Sequence, residues 1–227
     1  MNKNRITKLL VIAIILLTFG TVASNYAEQR AIDNSKIPED MEISKEFQKW
    51  ITNMKKRIDV SADDFRLKEK NEVFNSASLT ITSASNEAAN AAHLAKLAEY
   101  KNYQNVRFSP NDFQFLDYRH QRRSDGFRRY LANDVYFHGL DDDKIIDTKI
   151  LTCDLEFNCY FDRGFFVDNH VFVISEFSRN EVLPACAFNE VCTYTIKLHV
   201  FDLINSTQLV YESKPYDLNL SEMTQYF

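Results

Sequence analysis

All four cysteines of the chain lie in its last third, in two segments with the same spacing. The first segment is Cys153-Asp-Leu-Glu-Phe-Asn-Cys159, and the second is Cys186-Ala-Phe-Asn-Glu-Val-Cys192. Structural zinc sites usually take cysteines about two to four residues apart, so this wider spacing argues against zinc. A Cys-x-x-Cys redox motif is absent. An even number of cysteines in an exported chain is typical of disulfides.

Residues 151–162 alternate between apolar and polar side chains without interruption. One face would carry Leu151, Cys153, Leu155, Phe157, Cys159 and Phe161. This period of two predicts one continuous, half-buried strand. On such a strand, a rise of ~3.3 Å per residue separates Cys153 from Cys159 by roughly 20 Å. A disulfide requires Cα atoms within ~7 Å, so we expect neither segment to be bridged within itself.

The equal spacing instead predicts bridges between the two segments. In an antiparallel pairing, partner residue numbers add to a constant total, and Cys153–Cys192 and Cys159–Cys186 share one total. A single register would therefore form both bridges. A parallel pairing, 153 with 186 and 159 with 192, also keeps a constant offset. The hairpin-like connections of this region favour the antiparallel pairing.

The first 27 residues predict a membrane anchor or a secretory signal. Lys3, Arg5 and Lys8 precede a stretch from Leu9 to Ala27 without a charge. Its length is close to the ~20 residues that span a bilayer. Cleavage near residue 23 or 24 would instead release the rest as a soluble protein. We expect the remaining chain to face the periplasm, either anchored in the inner membrane or free in the periplasm.

Residues 28–104 are predicted to form a helical hairpin or a coiled-coil stalk. Apolar residues at helical spacing are Ile43, Phe47, Trp50, Met54 and Ile58. A heptad seam follows at Phe74, Ala77, Ile81, Ala84, Ala88, Ala91, Ala95 and Ala98. The alanine-rich helix would pack on the preceding helix, bind a partner or a second copy, or lie on the surface. His93 is interpreted as a polar residue beside this seam.

Residues 105–227 are predicted to form an antiparallel β domain that contains both disulfides. The candidate strands are 134–137, 145–161, 165–177, 191–201 and 207–213. His199 falls opposite in phase to Ile196 and Leu198, so we expect it to face solvent. Together with the helical segment, this pattern places the chain in the α+β class.

A run of arginines lies near the start of this domain, at Arg119, Arg122, Arg123, Arg128 and Arg129. Such a run is a candidate docking site for an anionic partner such as a lipid headgroup, a cell-wall polymer or an acidic protein face. The simpler interpretation is a solvated segment whose charge is balanced by the nearby Asp141–Asp143.

The sequence carries no recognised catalytic motif. It contains no His-Glu-x-x-His, P-loop, Gly-x-Gly-x-x-Gly or Gly-x-Ser-x-Gly sequence, and its five histidines are scattered. The net charge of −5 argues against nucleic-acid binding. We expect no enzyme activity, cofactor or metal. The predicted protein is a membrane-anchored envelope component with a binding or assembly role. The alternatives are a soluble periplasmic inhibitor or immunity protein and, less favoured, a hydrolase whose site is assembled from distant residues.

Overall fold

Two antiparallel β-sheets pack face to face in the computed structural model of this chain. The structure describes residues 35–72, 80–103, 106–118, 134–141, 144–153, 159–179, 186 and 190–219. The chain divides into two units, Met1–Ser35 and Lys36–Phe227, and the fold below is that of the second unit.

The strands of this unit form the two sheets in successive segments of the chain. In the described residues they are β1 (Arg66–Glu72), β2 (Thr80–Ser83), β3 (Val106–Phe108), β4 (Gln114–Asp117), β5 (Asp134–Asp141), β6 (Lys144–Thr152), β7 (Cys159–Phe166), β8 (Val171–Ser178), β9 (Val191–Asp202), β10 (Thr207–Glu212) and β11 (Tyr216–Asn219). The first sheet has the order β1-β10-β9-β8-β7, and β11 pairs with the start of β9. The second sheet has the order β2-β6-β5-β4-β3. The chain starts in the first sheet with β1, forms the second sheet with β2 to β6, and returns to the first sheet with β7 to β11.

The described helices are short, and two of the three begin at a side-chain cap. They are α1 (Glu39–Ile43), α2 (Lys45–Met54) and α3 (Glu87–Tyr100), with a 3-10 turn at Ala62–Asp64. The Ser44 side chain accepts a hydrogen bond from the Phe47 amide at the start of α2. Asn86 does the same for the Ala89 amide at the start of α3. These caps satisfy amides that a helix leaves without a partner.

Helices cover the outer face of each sheet. Phe47, Trp50 and Met54 of α2 are buried against the first sheet, which confirms that these residues share one helical face. The prediction is wrong for Ile43, which ends α1 and is 71% exposed. On the second sheet, Leu97 of α3 packs with Phe115 of β4. The unit therefore has four layers in the order helix, sheet, sheet, helix.

The predicted α+β class with a helical hairpin or stalk is wrong, because the described chain is mostly β-sheet. β1 and β2 come from the segment assigned to helices, yet they pair with β10 and β6. Ile81 lies in β2 and Ala84 in the following turn, so the heptad seam is broken before α3 begins. The β-branched sequence Thr-Ile-Thr favours a strand there. Phe74 and Ala77 lie outside the described residues.

Several predictions about charged or apolar segments lie outside the described residues. These are the N-terminal segment 1–27 and the arginines at 119, 122, 123, 128 and 129. Among the helices that the structure describes, none is long and apolar enough to span a bilayer.

Both disulfides lie within the segments, so the predicted crossed pairing is wrong. They join Cys153 to Cys159 and Cys186 to Cys192, with Cα separations of 5.9 Å and 6.3 Å. The prediction failed because residues 151–162 are not one strand. β6 ends at Thr152 in the second sheet, and β7 begins at Cys159 in the first. The first disulfide therefore joins the two sheets where the chain passes between them.

The alternation around this disulfide nevertheless identified the buried side chains. Leu151, Cys153, Cys159 and Phe161 all pack in the apolar layer between the sheets. β6 and β7 lie on opposite sides of that layer. These odd-numbered residues therefore point into the layer both before and after the segment where the chain changes sheet. The period of two placed these four residues correctly, but the prediction of one half-buried strand is wrong, because the strand is not continuous and Tyr160 and Asp162 on the opposite face are also buried.

Non-reducing peptide mapping tests the disulfide pairing. We expect Cys153 linked to Cys159 and Cys186 linked to Cys192. The variants Cys153→Ala/Cys159→Ala and Cys186→Ala/Cys192→Ala form a matched pair, since both bridges have a sequence separation of six. Each should lower the free energy of unfolding by about 2 kcal/mol, because short loops of equal length are lost. A peptide that links the two segments would contradict the structure.

Candidate functional site

A buried histidine pair lies between α3 and the second sheet. His93 comes from α3 and His138 from β5, and His93 Nδ1 lies 2.9 Å from His138 Nε2. The two residues are only 2% and 3% exposed. His93 therefore belongs to the inward face of α3, four residues before Leu97. The sequence contained this signal, since residues four apart share a helical face.

A carboxylate and an ammonium group connect this pair to the surface. Asp147 on β6 is the register partner of His138, and its Oδ2 lies 3.5 Å from His138 Nδ1. Lys96 Nζ, one turn after His93, donates to the same oxygen. Burial raises the pKa of Asp147, but His138 and Lys96 outweigh burial and lower that pKa to about 2. Asp147 is therefore a carboxylate at neutral pH.

The arrangement favours one placement of hydrogens in the pair. A hydrogen bond between two imidazoles requires one N–H and one lone pair. The Asp147 carboxylate favours a hydrogen on His138 Nδ1, so His138 Nε2 accepts from His93 Nδ1. The remaining nitrogen, His93 Nε2, is buried and makes no hydrogen bond within the described residues.

The histidine pair is closed to solvent. Burial, followed by the nearby His138 and Lys96, lowers the pKa of His93. The Phe115 ring lies 5.0 Å from the His138 ring at an angle of 35°. Because both imidazoles are buried, they have no open face for a substrate. Their geometry suits a proton-sensitive contact between a helix and a sheet.

A second buried histidine, His199, joins strands of the first sheet. It was expected to face solvent, and that prediction is wrong because this face of the sheet is also covered. His199 Nε2 donates to Glu176 Oε2 at 2.7 Å, and Gln208 Nε2 donates to His199 Nδ1 at 3.1 Å. Lys197 Nζ lies 3.4 Å from Glu176 Oε1. Both ring nitrogens are satisfied, so this cluster ties β8, β9 and β10 together.

A third buried polar group lies beneath α2. Asp162 occupies a β-bulge of β7, between Phe161 and Arg163 in the register with β8. Burial raises its pKa, against the opposing effect of the Arg163 and Arg57 guanidinium groups. Ser175 Oγ donates to Asp162 Oδ2 at 3.4 Å. These contacts stabilise the Asp162 carboxyl group in the core. Because it is buried among them, Asp162 is not accessible to a ligand.

One cluster of three residues that could bind a metal is found in the described part of the chain, at Cys186, Glu190 and Cys192. Its two sulfur atoms form a disulfide. A thiolate is the form of cysteine that binds a metal, so this cluster is not a metal centre in its oxidised form.

The outer face of α3 is apolar and open to solvent. Its exposed residues include Ala88, Ala91, Ala95 and Ala98, which are four positions of the predicted seam. Leu94 lies among them and is 52% exposed. α3 is thus apolar on the side that covers the sheet and also on the opposite side.

The chain matches no protein-family model, no curated protein and no solved structure. Its site is therefore interpreted from its own residues.

Glu176→Gln tests whether the buried His199 cluster is a charged structural tie. The variant should lower the free energy of unfolding at pH 7 by about 2 kcal/mol, since a charge-assisted hydrogen bond becomes neutral. Burial raises the pKa of Glu176, but His199 and Lys197 lower it below its ordinary value of 4.5. The stabilisation should therefore be present above pH 4.5 and disappear as the pH falls through the folded pKa.

The measurement is urea unfolding at pH 7 and pH 3.5, with Glu72→Gln as the control. Glu72 lies exposed on the edge strand β1, so its substitution should change stability by less than about 0.5 kcal/mol. Equal effects of the two substitutions at pH 7 would show that Glu176 contributes no buried ion pair.

Proposed function

We propose that this chain is an exported envelope protein that acts by binding or assembly, with the outer face of α3 as its contact surface. The observation that carries this proposal is the apolar, exposed outer face of a helix whose inner face is already packed. Alanines and Leu94 form most of this outer face, and Glu87, Asn90 and Glu99 are the exposed polar residues of α3. The second sheet covers one side, and a partner would cover the other.

Export is supported by the cysteines and by the N-terminal sequence. Two disulfides form among the four cysteines, and disulfides persist mainly in oxidising compartments such as the periplasm. The segment 1–27 has the basic start and apolar run of an anchor or signal. We propose that the folded unit is held at the inner membrane and faces the periplasm.

The partner that best fits the α3 surface is a second copy of the chain. Ala88, Ala91, Ala95 and Ala98 are spaced by three, four and three residues, as in a seam between two helices. Small side chains let two backbones approach closely. In an antiparallel pair, Glu87 in the first turn of one copy would lie near Lys101 after the last turn of the other. Opposite charges and antiparallel helix dipoles both favour that arrangement.

The alternative, a soluble periplasmic inhibitor or immunity protein, shares the export signal and the disulfides. It differs in the N-terminus, because a soluble form requires cleavage near residue 23 or 24. Mass spectrometry of the protein recovered from cells separates the two. An intact N-terminus supports the anchored form, and loss of 23 or 24 residues supports the soluble one.

Leu94→Lys tests self-association through α3. Burying an ammonium group in an apolar contact is costly, so the variant should raise the dimer dissociation constant at least about tenfold. Analytical ultracentrifugation of the exported unit over a concentration series measures this change.

Ile204→Lys is the matched control, because Ile204 is 72% exposed in the turn between β9 and β10. It makes the same apolar-to-cationic change away from α3 and should leave association unchanged. A wild-type protein that stays monomeric at all concentrations, or equal behaviour of the two variants, would overturn the proposal.

A further inference from the structure

We propose that acidification detaches α3 from the second sheet, and that the His93–His138 pair is the proton-sensitive contact. The inference concerns the inner face of α3. The acid response itself does not depend on the proposed function. Only its consequence rests on that function, since detachment of α3 would alter the surface that a second copy binds.

The pair can hold one added proton but not two. With one added proton, His138 is an imidazolium whose Nε2 donates to His93 Nδ1 at 2.9 Å, and its Nδ1 faces Asp147 Oδ2 at the ion-pair distance of 3.5 Å. A second proton places an N–H on both nitrogens of the 2.9 Å contact. Two donors cannot share a hydrogen bond, and two cations repel each other, so the contact is lost.

The surrounding charges do not offset the second proton. The other titratable or charged residues on the elements around the pair are Glu87, Lys96, Glu99 and Tyr100 on α3, Arg107 on β3, Asp117 on β4, Asp134, Tyr136 and Asp141 on β5, and Lys144, Asp147 and Lys149 on β6. β2 carries none. Of these, Asp147 contacts His138, and Lys96 contacts Asp147. Full protonation would place three cations around the single Asp147 carboxylate.

The apolar attachment of α3 is small. The cluster beneath it contains three buried residues, Leu97, Val106 and Phe115. The cluster beneath α1 and α2 is far larger and includes Trp50 and Phe47. Elements with few buried apolar contacts open locally before the rest of a protein unfolds. α3 is therefore the element expected to respond when its polar contact fails.

The other buried histidine does not share this property. His199 Nε2 already donates to the Glu176 carboxylate, and Gln208 lies on its second nitrogen. A proton added to His199 would go to Nδ1, where the Gln208 amide can turn its oxygen inward as the acceptor, and the Nε2 bond to the Glu176 carboxylate becomes charge-assisted. The two histidine clusters thus predict opposite responses to mild acid within one chain.

Hydrogen exchange of α3 amides, followed by mass spectrometry from pH 7 to pH 5, tests the inference. The lowered pKa of His93 means that the open state binds protons more readily than the closed state. Opening should therefore increase as the pH falls below 6.5, by up to about tenfold per pH unit for each linked proton. After correction for the intrinsic exchange rate, α3 should lose protection while β8 and β9 keep it.

His93→Gln and His138→Gln should each make α3 exchange independent of pH in this range, because the proton-sensitive pair is gone. His199→Gln is the matched control and should keep the wild-type response. If the glutamine variants do not fold, the amide protection of α3 can still be compared with that of β8 and β9 in the wild-type protein, and this comparison tests the inference. Three results would overturn the inference. The first is equal protection of α3 amides at pH 7 and pH 5, and the second is a simultaneous loss of protection in all strands. The third is a pH response that persists in a folded His93→Gln or His138→Gln variant.

The same measurement in the Leu94→Lys background separates this inference from self-association. An acid response that persists in that variant belongs to the inner face of α3 alone. If the response is absent while Leu94→Lys still disrupts dimers, only the acid-sensitive contact is refuted. If the response is present in a strictly monomeric protein, only the proposed association is refuted.

Discussion

The aromatic layer between the two sheets is the interaction on which the other contacts of the unit depend. Phe172 of β8 stacks against Phe137 of the second sheet at 5.3 Å and against Phe201 of the first at 4.8 Å. All three rings are buried. When the inner faces of two sheets pack together, each sheet still has an outer face with apolar residues. α2 and α3 cover these outer faces, so each helix is positioned by its sheet and not by the other helix.

The sequence predicted local patterns well and their connections poorly. Alternation identified the inward residues on both sides of the Cys153–Cys159 corner, and two predicted strands, 191–201 and 207–213, correspond to β9 and β10. Alternation does not mark where a strand leaves one sheet and enters the other, because both sheets border the same apolar layer. The alanine heptads failed for a related reason. Helical spacing continued by chance through Ile81, whose β-branched neighbours favour a strand.

The candidate site depends on contacts between distant residues and could not be derived from periodicity. His93 and His138 are 45 positions apart, and only the packing of α3 on β5 brings their rings together. The i to i+4 relation of His93 and Leu97 could have placed His93 on the buried face. Nothing local to His138 indicated its partner. His199 was assigned to solvent because an alternating strand was assumed to have one wet face, whereas β9 is covered on both.

In this structure β5 and β8 face each other across one aromatic layer. The most direct measurement is the nuclear Overhauser effect between the Phe137 and Phe172 ring protons in the folded protein. Stacked rings with centroids 5.3 Å apart predict a strong cross-peak, together with one between Phe172 and Phe201. A Phe172 ring that shows contacts only to residues of its own sheet, and none to residues 134–152, would contradict the sandwich.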